Sequence, residues 1–594
     1  MKISNELLRN YLITRRSFVL LAGKLGMLSM LSLRMIYMQI MEGSKYKTLA
    51  DKNRINIVML PPLRGRIIDR EGKVIADNSS AFRVMLDKTE NIKYKNVVNI
   101  LCDIFNLQNH ERTSLIKVAE KIPRKLPGPL IDNLSWNQVS IVEENIASLP
   151  GIYIDIGQYR AYQYSNTMSH PIGYISIITE QDKRELELEN VGDFPVGKSG
   201  IEKFYENKLQ GNFGMKEVEV NAYGAVVREI SSKPSSTGDE LQINIDSELQ
   251  NKAMEILPKR GSCAIVLDVR DGRVLTLASA PSFDSNKFVR GLSHDYWNEI
   301  ITDPHKPLIN KTVQNNYPPG SIFKMIVVIA ALESGMNPNN KIDCNGGSAL
   351  GGTHFKCWYK PGHGDLDLHQ ALEHSCNIYM YHIAKTIGAD KIAEVSRKFG
   401  FGTPTGIDLP TESAGLIPDT MWKKRQFKQE WHLGDSLNTA IGQGFVLATP
   451  LQIARFCASI ANGGKLITPR IVGKSNISEI EIDPEHLKFI QSSMNNVMNS
   501  PGGTAYYHRI TEPGWEVAGK TGTSQVRSKV GNIDLSSASV PWESRNHALF
   551  VSYGPVHNPR FATAVVVDHG GGGASSAGPI AKNIMKEVFK KYLT

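Results

Sequence analysis

The chain has 594 residues, 41% hydrophobic and 21% charged, which excludes a disordered protein and is too much chain for one hydrophobic core. Its net charge of +9 suits anionic surroundings such as a membrane surface; without a zinc-finger or RNP-type signature, nucleic acid is not an expected partner. Six cysteines are too few for a disulfide scaffold.

In chain order, Lys2, Arg9, Arg15 and Arg16 precede an apolar stretch, residues 18–40, long enough to cross a hydrocarbon core of about 30 Å. Lys24 and Arg34 interrupt it on opposite sides of its midpoint, so each can snorkel to its nearer interface. The basic flank predicts a cytoplasmic tail (1–17), a single-pass anchor and a body outside the membrane. No small-x-small cleavage site follows, so the signal anchor is expected to stay uncleaved. Thr14-Arg15-Arg16-Ser17-Phe18 mimics a twin-arginine export signal, which the basic flank of an anchor explains as well. The alternative is a buried soluble helix, whose two charges would need partners.

Residues 43–238 alternate short strand-like and helical stretches and carry no nucleophile constellation, as a spacer or interaction module would. Asn56–Leu60 reads as a strand, and Arg64–Asp77 as two strands around a turn containing Gly72. Val97, Val98, Ile100, Leu101 and Ile104 have helical spacing within 94–105. Cys102, Cys263 and Cys457 sit alone in apolar contexts and read as core residues.

A second domain, 239–594, opens with an alternating strand, Leu241–Ile245, and Asp246 as a helix cap. Ala264–Asp268 and Arg273–Ala278 predict a hairpin around Asp271-Gly272, and Ala548–Tyr553 and Phe561–Val567 predict neighbouring strands. A helix from Pro579 to Tyr592 closes the chain. Strands at both ends of a helical middle imply one sheet flanked by helices, an α/β or α+β enzyme domain.

Tyr317-Pro318-Pro319-Gly320-Ser321 blocks helix before Ser321, so this serine is expected to open a buried helix that stops at Gly335. Lys324, three residues on, would share its face; in apolar surroundings its ammonium loses solvation and can take a proton from the serine. An isolated S-x-x-K is common, and an N-cap serine beside a surface lysine is its ordinary meaning. Two further elements change that: Ser375-Cys376-Asn377 between helical stretches, and Lys520-Thr521-Gly522-Thr523 at the end of a strand-like Trp515–Gly519. Order and spacing resemble the S-x-x-K, S-x-N and K-T-G set of penicillin-interacting serine enzymes. That resemblance implies that Ser321 attacks the carbonyl of a D-Ala-D-Ala bond with Lys324 as base. Ser375 would relay a proton to the leaving amine, and Asn377 would bind the substrate amide or hold Lys324. Lys520, Thr521 and Thr523 would meet the terminal carboxylate beside Gly522, and the N–H groups of Ser321 and Thr523 would form an oxyanion hole.

Cys344, Cys357, His363 and Cys376 are spaced C-x12-C-x5-H-x12-C around a Gly-rich loop with little apolar content to fold it. Three thiolates and one imidazole suit a structural, tetrahedral zinc site; a disulfide between two of the cysteines is the alternative.

The three motifs, Arg64–Gly72, Gly197–Glu202 with Leu209-Gln210-Gly211, and Ile441–Gly444 followed by Thr449–Gln452 resemble class B penicillin-binding proteins over nearly the whole chain. The likeness is greatest to their elongation-type penicillin-binding protein 2 group. It implies a non-catalytic pedestal of the dimerisation type before a transpeptidase domain that cross-links peptidoglycan stem peptides during elongation and shape maintenance. β-Lactams are the implied inhibitors, and a multi-spanning glycan polymerase and other elongation-complex proteins the implied partners. Zinc in the cysteine-rich loop is implied too, with aspartate at some ligand positions in relatives, so that Asp343 competes with Cys344. A β-lactamase would share the motifs, but the long pedestal and the absence of an identifiable second base for hydrolysis argue against one. A D,D-carboxypeptidase and a non-catalytic β-lactam-binding scaffold are the remaining alternatives.

Overall fold

A computed structural model describes residues 15–45, 47, 54–88, 93–122, 127–185, 194–220, 226–350, 352–526 and 540–594. Lys2 and Arg9 of the basic flank lie outside the described residues. The apolar stretch forms a helix, Arg15–Ile36, continued by a wider turn, Tyr37–Met41. None of Ser17–Met41 is buried, so the helix is not part of a soluble core. Its 25 residues reach past a hydrocarbon core of about 30 Å, and it is the one such helix among the described residues. The chain is therefore membrane-anchored by this single pass.

The rest divides into two compact units. The smaller holds residues to Pro61, Ala81–Gly157 and Phe213–Ser236. It contains an antiparallel sheet of Ile55–Leu60, Gly214–Val220 and Val226–Lys233. The predicted helix runs Tyr94–Ile104 and buries Val97, Val98, Leu101 and Cys102 against the helices Asn109–Lys121 and Trp136–Glu144, one apolar face at helical spacing.

The larger unit comprises Pro62–Ser80, Gln158–Asn212 and Thr237–Thr594, so it draws in two segments of the expected pedestal. The physical reason is bonding to the 237–594 segment: Ile67–Ile68 pairs with Leu241–Gln242, Ser247 Oγ donates to Asp69 Oδ2 at 2.6 Å, and the Tyr205 hydroxyl donates to Asp408 Oδ2 at 3.0 Å. A buried ion network that the sequence reading did not anticipate joins the two drawn-in segments to each other. Arg64 binds Glu202 at 2.5 Å and Glu206 at 2.7 Å, and Arg160 binds Glu202 at 2.8 Å. Two stretches that resembled the family separately, around Arg64 and Glu202, thus meet across 138 positions. Removing one member would leave a buried charge unpaired, a loss of about 3–5 kcal/mol. The predicted hairpin is present, Ile67 facing Ala76, with Gly72 at φ +85° supplying the left-handed turn residue.

The core of this unit is a five-stranded antiparallel sheet in the order Val274–Ala280, Ser262–Asp268, Phe561–Val567, His547–Gly554, Ala518–Ser524. Val274–Ala280, Ser262–Asp268 and Phe561–Val567 are buried at every position because helices cover both faces. Ser247–Ile256 and Gly578–Tyr592 pack Leu249, Ala253, Ile584, Val588 and Phe589 on one face. Pro450–Ala461, buried along its whole length, covers the other. An antiparallel sheet with helices on its faces makes the domain α+β. The predicted hairpin formed and the two strands predicted as neighbours pair, antiparallel, whereas the strand predicted at Leu241–Ile245 shrinks to Leu241–Gln242, parallel to Ile67–Ile68. Asp246 caps the following helix as expected, accepting from the N–H groups of Glu248 and Leu249.

Candidate active site

Ser321 does not itself open an α-helix. It sits in a tight turn, Gly320–Ile322, and the helix proper runs Lys324–Glu333. All but its last residue is buried, and Gly335 at φ +79° ends it as predicted. The Gly335 N–H reaches Leu332 O and the Met336 N–H reaches Ala331 O, the paired bonds of a Schellman stop. Ser321 is partly exposed, and its hydroxyl has no hydrogen-bond partner among the described residues. The turn is sewn to the 441–448 segment by Gly320 N–H to Gly442 O (2.9 Å) and by two bonds between Tyr317 and Ala448. Gly320 is at φ +56°, and a Cβ there would lie 2.5 Å from Thr523 O. Only glycine suits that approach.

Lys324 is wholly buried. Its ammonium donates to Ser375 O (2.7 Å), Ser375 Oγ (3.2 Å) and Asn377 Oδ1 (2.6 Å). Burial lowers its pKa to about 8, against which the thiols of Cys357 and Cys376 work weakly. Keeping a charged amine there costs about 3 kcal/mol, which the burial of two or so aliphatic side chains of the same helix offsets. Lys520, also wholly buried, donates to the same Ser375 hydroxyl at 3.1 Å. Burial, and then the charge of Lys324, push its pKa well below the usual lysine range. One hydroxyl thus bridges two amines that disfavour being charged together.

Ser375 takes φ +55° and follows the helix Leu368–Glu373 at the position where a Schellman stop usually has glycine. Cys376 N–H to Ala371 O (2.8 Å) and Ser375 N–H to Leu372 O (3.2 Å) complete that stop. A side chain in this conformation costs about 1–3 kcal/mol and is kept where the surroundings fix it. Here Trp358 contributes, its indole N–H lying 3.0 Å from His374 O and 3.1 Å from Ser375 O. Asn377 begins the next helix and turns its other amide atom to Lys356 O at 3.1 Å.

Lys520-Thr521-Gly522-Thr523 lies inside the edge strand Ala518–Ser524, not past a strand's end as the sequence suggested. The strand starts later because Trp515 to Val517 are not paired with a neighbour. Gly522 and Gly573 permit close packing: a Cβ on the first would meet Pro319 O at 3.0 Å, one on the second Leu549 O at 2.6 Å. Thr523 Oγ1 accepts from Gly573 N–H at 3.3 Å, and Thr521 Oγ1 lies 3.4 Å from Thr504 Oγ1.

Beside Ser375, the donor atoms of Cys344, Cys357, His363 and Cys376 all lie within 4.8 Å of one another. His363 Nδ1 is 3.5 Å from Cys344 Sγ and 3.6 Å from Cys357 Sγ, about the ligand–ligand spacing of a tetrahedral zinc with bonds near 2.0 and 2.3 Å. The Cys376 thiol, and then the Asn377 and Tyr359 backbone amides, hydrogen-bond Cys357 and lower its pKa, favouring its thiolate. The residues fit a zinc ion, and no two of the six cysteines are joined.

Two family models match the chain: the penicillin-binding protein transpeptidase domain over 262–586 and the penicillin-binding protein dimerisation domain over 59–243. The chain belongs to the penicillin-binding protein family. It is 34% identical to the peptidoglycan D,D-transpeptidase MrdA of Haemophilus influenzae, covering 98% of this chain and 92% of that protein. The solved penicillin-binding protein PBP2 of Helicobacter pylori, in complex with MreC, is 30% identical, with a TM-score of 0.81 over 91% of this chain and 100% of that one. A peptidoglycan synthase complex coordinating polymerization and crosslinking matches at 26% identity and TM-score 0.68, over 96% and 98%.

Within this penicillin-binding protein the structure brings Lys324, Ser375, Asn377 and Lys520 to one point and the four metal donors to another. Sequence reasoning missed Thr504, whose neighbours in the chain carry no motif, and Trp358, although it follows Cys357 directly. It noted Gln443 only as part of a family-like run.

Proposed function

We propose that Ser321 is the nucleophile of a peptidoglycan D,D-transpeptidase, the activity named for the full-length relative. The convergence of Lys324, Asn377 and Lys520 on the Ser375 loop, beside the turn that carries Ser321, is the observation that supports this reading. With a pKa near 8, about a tenth of Lys324 is neutral at pH 7 and free to accept the serine proton. Ser321 Oγ bonds to the carbonyl carbon of the penultimate D-Ala, and the N–H groups of Ser321 and Thr523 hold the oxyanion. The C–N bond breaks as Ser375 passes a proton, supplied through the lysines, to the departing D-Ala amine. An amine from a neighbouring stem peptide then attacks the ester, forms the cross-link and returns the proton to Ser321. Lys520, Thr521 and Thr523 face the terminal carboxylate, whose charge restores the proton to Lys520. Penicillin would enter the same path and stop at the ester.

Cys344, Cys357, His363 and Cys376 would hold a zinc ion, which when bound ties the glycine-rich loop to the Ser375 loop as a structural cross-link. The basic flank places the N-terminus in the cytoplasm and the body in the periplasm. There a glycan polymerase and an MreC-like protein are the expected partners, by likeness to the two solved assemblies.

The deciding experiment is penicillin labelling with peptide mapping, followed by turnover of a D-Ala-D-Ala donor with and without an acceptor amine. Label on Ser321, lost in a folded Ser321→Ala variant, and acceptor-dependent product support the reading. Label elsewhere, or release by water alone, overturns it. Metal analysis of protein purified without chelator tests the zinc: well under one zinc per chain rejects it.

A further inference from the structure

The run Ile441-Gly442-Gln443-Gly444 stood out in the sequence, and the chemistry above gives it no task. In the structure its Gly442 carbonyl accepts the Gly320 N–H at 2.9 Å, next to the nucleophile. The following side chain turns the other way. Gln443 Nε2 donates to Thr523 O at 3.1 Å, and its Oε1 accepts from Gln525 N–H at 3.4 Å. One primary amide therefore spans the end of the K-T-G-T strand, on an edge with no further strand beside it among the described residues. The contact is close because Gly442 and Gly320, both left-handed, leave no Cβ between backbones: a Cβ on Gly442 would lie 2.7 Å from Phe323 Cβ and 2.8 Å from Gly320 N.

We propose that Gln443 is a positioning residue for acylation, fixing the Thr523 peptide at the distance from Ser321 that the oxyanion requires. The proposal rests on the reading of Ser321 as nucleophile and of the Thr523 N–H as an oxyanion donor. Thr523 belongs to an edge strand, and its carbonyl, which packs over Gly320, accepts from Gln443 Nε2. Gln443 supplies a donor and an acceptor on two separate atoms, which a single hydroxyl oxygen or an ionised carboxylate does not. Without it the strand end loses two tethers while the binding surface for the ligand stays in place. The loss therefore falls on the chemical step more than on binding, since only the transition state uses the full oxyanion geometry.

The test uses the full-length protein in detergent and stopped-flow labelling with a fluorescent penicillin, separating the non-covalent dissociation constant from the acylation rate constant. Gln443→Ala is expected to slow acylation roughly 10- to 100-fold while changing the dissociation constant by less than about threefold. Gln443→Glu gives a readout that a structural role would not move. Its ionised carboxylate repels Thr523 O, whereas its protonated form donates to it, so the ratio of variant to parent acylation rates should rise as pH falls from about 7 to 5. An unchanged acylation rate in folded Gln443→Ala, or equal loss in binding and acylation, overturns the proposal. If the alanine variant does not fold, a flat ratio for Gln443→Glu overturns it and a rising one supports it. Ser321→Ala run alongside separates the premises: labelling that persists there refutes the nucleophile and not the tether.

Discussion

Two polar clusters lie on either side of the Ser375–Asn377 loop, and they are held in opposite ways. Lys324 and Lys520 are wholly buried, one on a helix embedded in the main core and the other on a strand of the central sheet. The core sets their positions whatever is bound. The donors Cys344, Cys357 and His363 sit on short strands and turns where Ser348, Ala349, His354 and Lys356 are half-buried or exposed. Too few apolar atoms lie beneath that loop to offset its conformational entropy. One cluster is held by hydrophobic burial; the other is held by its four donors, Trp358, Asn377, two short strand pairs and the Phe355 ring on Tyr381. Preorganised catalysis and the proposed metal-dependent order thus rest on adjacent but separate sets of residues.

Breaking the first cluster should have the largest effect. Lys324→Ala is expected to lower penicillin acylation by on the order of 10²–10⁴-fold while leaving the metal content and melting temperature close to the parent. Parallel loss of metal would show that the clusters are not separable. Next in size, Cys376→Ser or prolonged chelation should lower the melting temperature by several degrees and slow acylation roughly tenfold, because the Ser375 loop loses a fastening on one side only. Unchanged melting after verified metal removal would end the idea that metal orders this loop. Trp358→Phe keeps the ring and deletes one N–H, so a rate loss of about threefold to tenfold is expected with normal metal content.

The smallest effects are in pH dependence. Lys324 must lose its proton to act, and its pKa is lowered to about 8, so acylation should climb as pH rises from 7 through 8 and then level. For Lys520 the sign is opposite. Its pKa in the free protein lies well below the usual lysine range, and a bound carboxylate raises it, so binding takes up a proton. Affinity for a carboxylate ligand should therefore weaken with rising pH, most simply followed by calorimetry in buffers of different ionisation heat. No proton uptake would mean that Lys520 is already charged before the ligand arrives.

The amino-acid sequence alone determined what short-range physics governs: the exposed apolar helix, the helix stop at Gly335, the Asp246 cap, the hairpin around Asp271-Gly272 and the adjacency of the two final strands. Each depends on a pattern within about twenty residues, and the residue types of the three motifs are chemical requirements that no fold alters. Contacts over long distances were decided only in the tertiary structure. Arg64 meets Glu202 because neither charge could be buried alone. Ser375 adopts a left-handed backbone because Trp358 and Lys324 share its carbonyl, though nothing in a serine's chemistry asks for it. Ser321 lies in a turn ahead of the helix because Gly320 has to pass under Thr523, from a strand some two hundred residues later. Spacing along a chain cannot report such approaches, since they are settled by which surfaces bury one another.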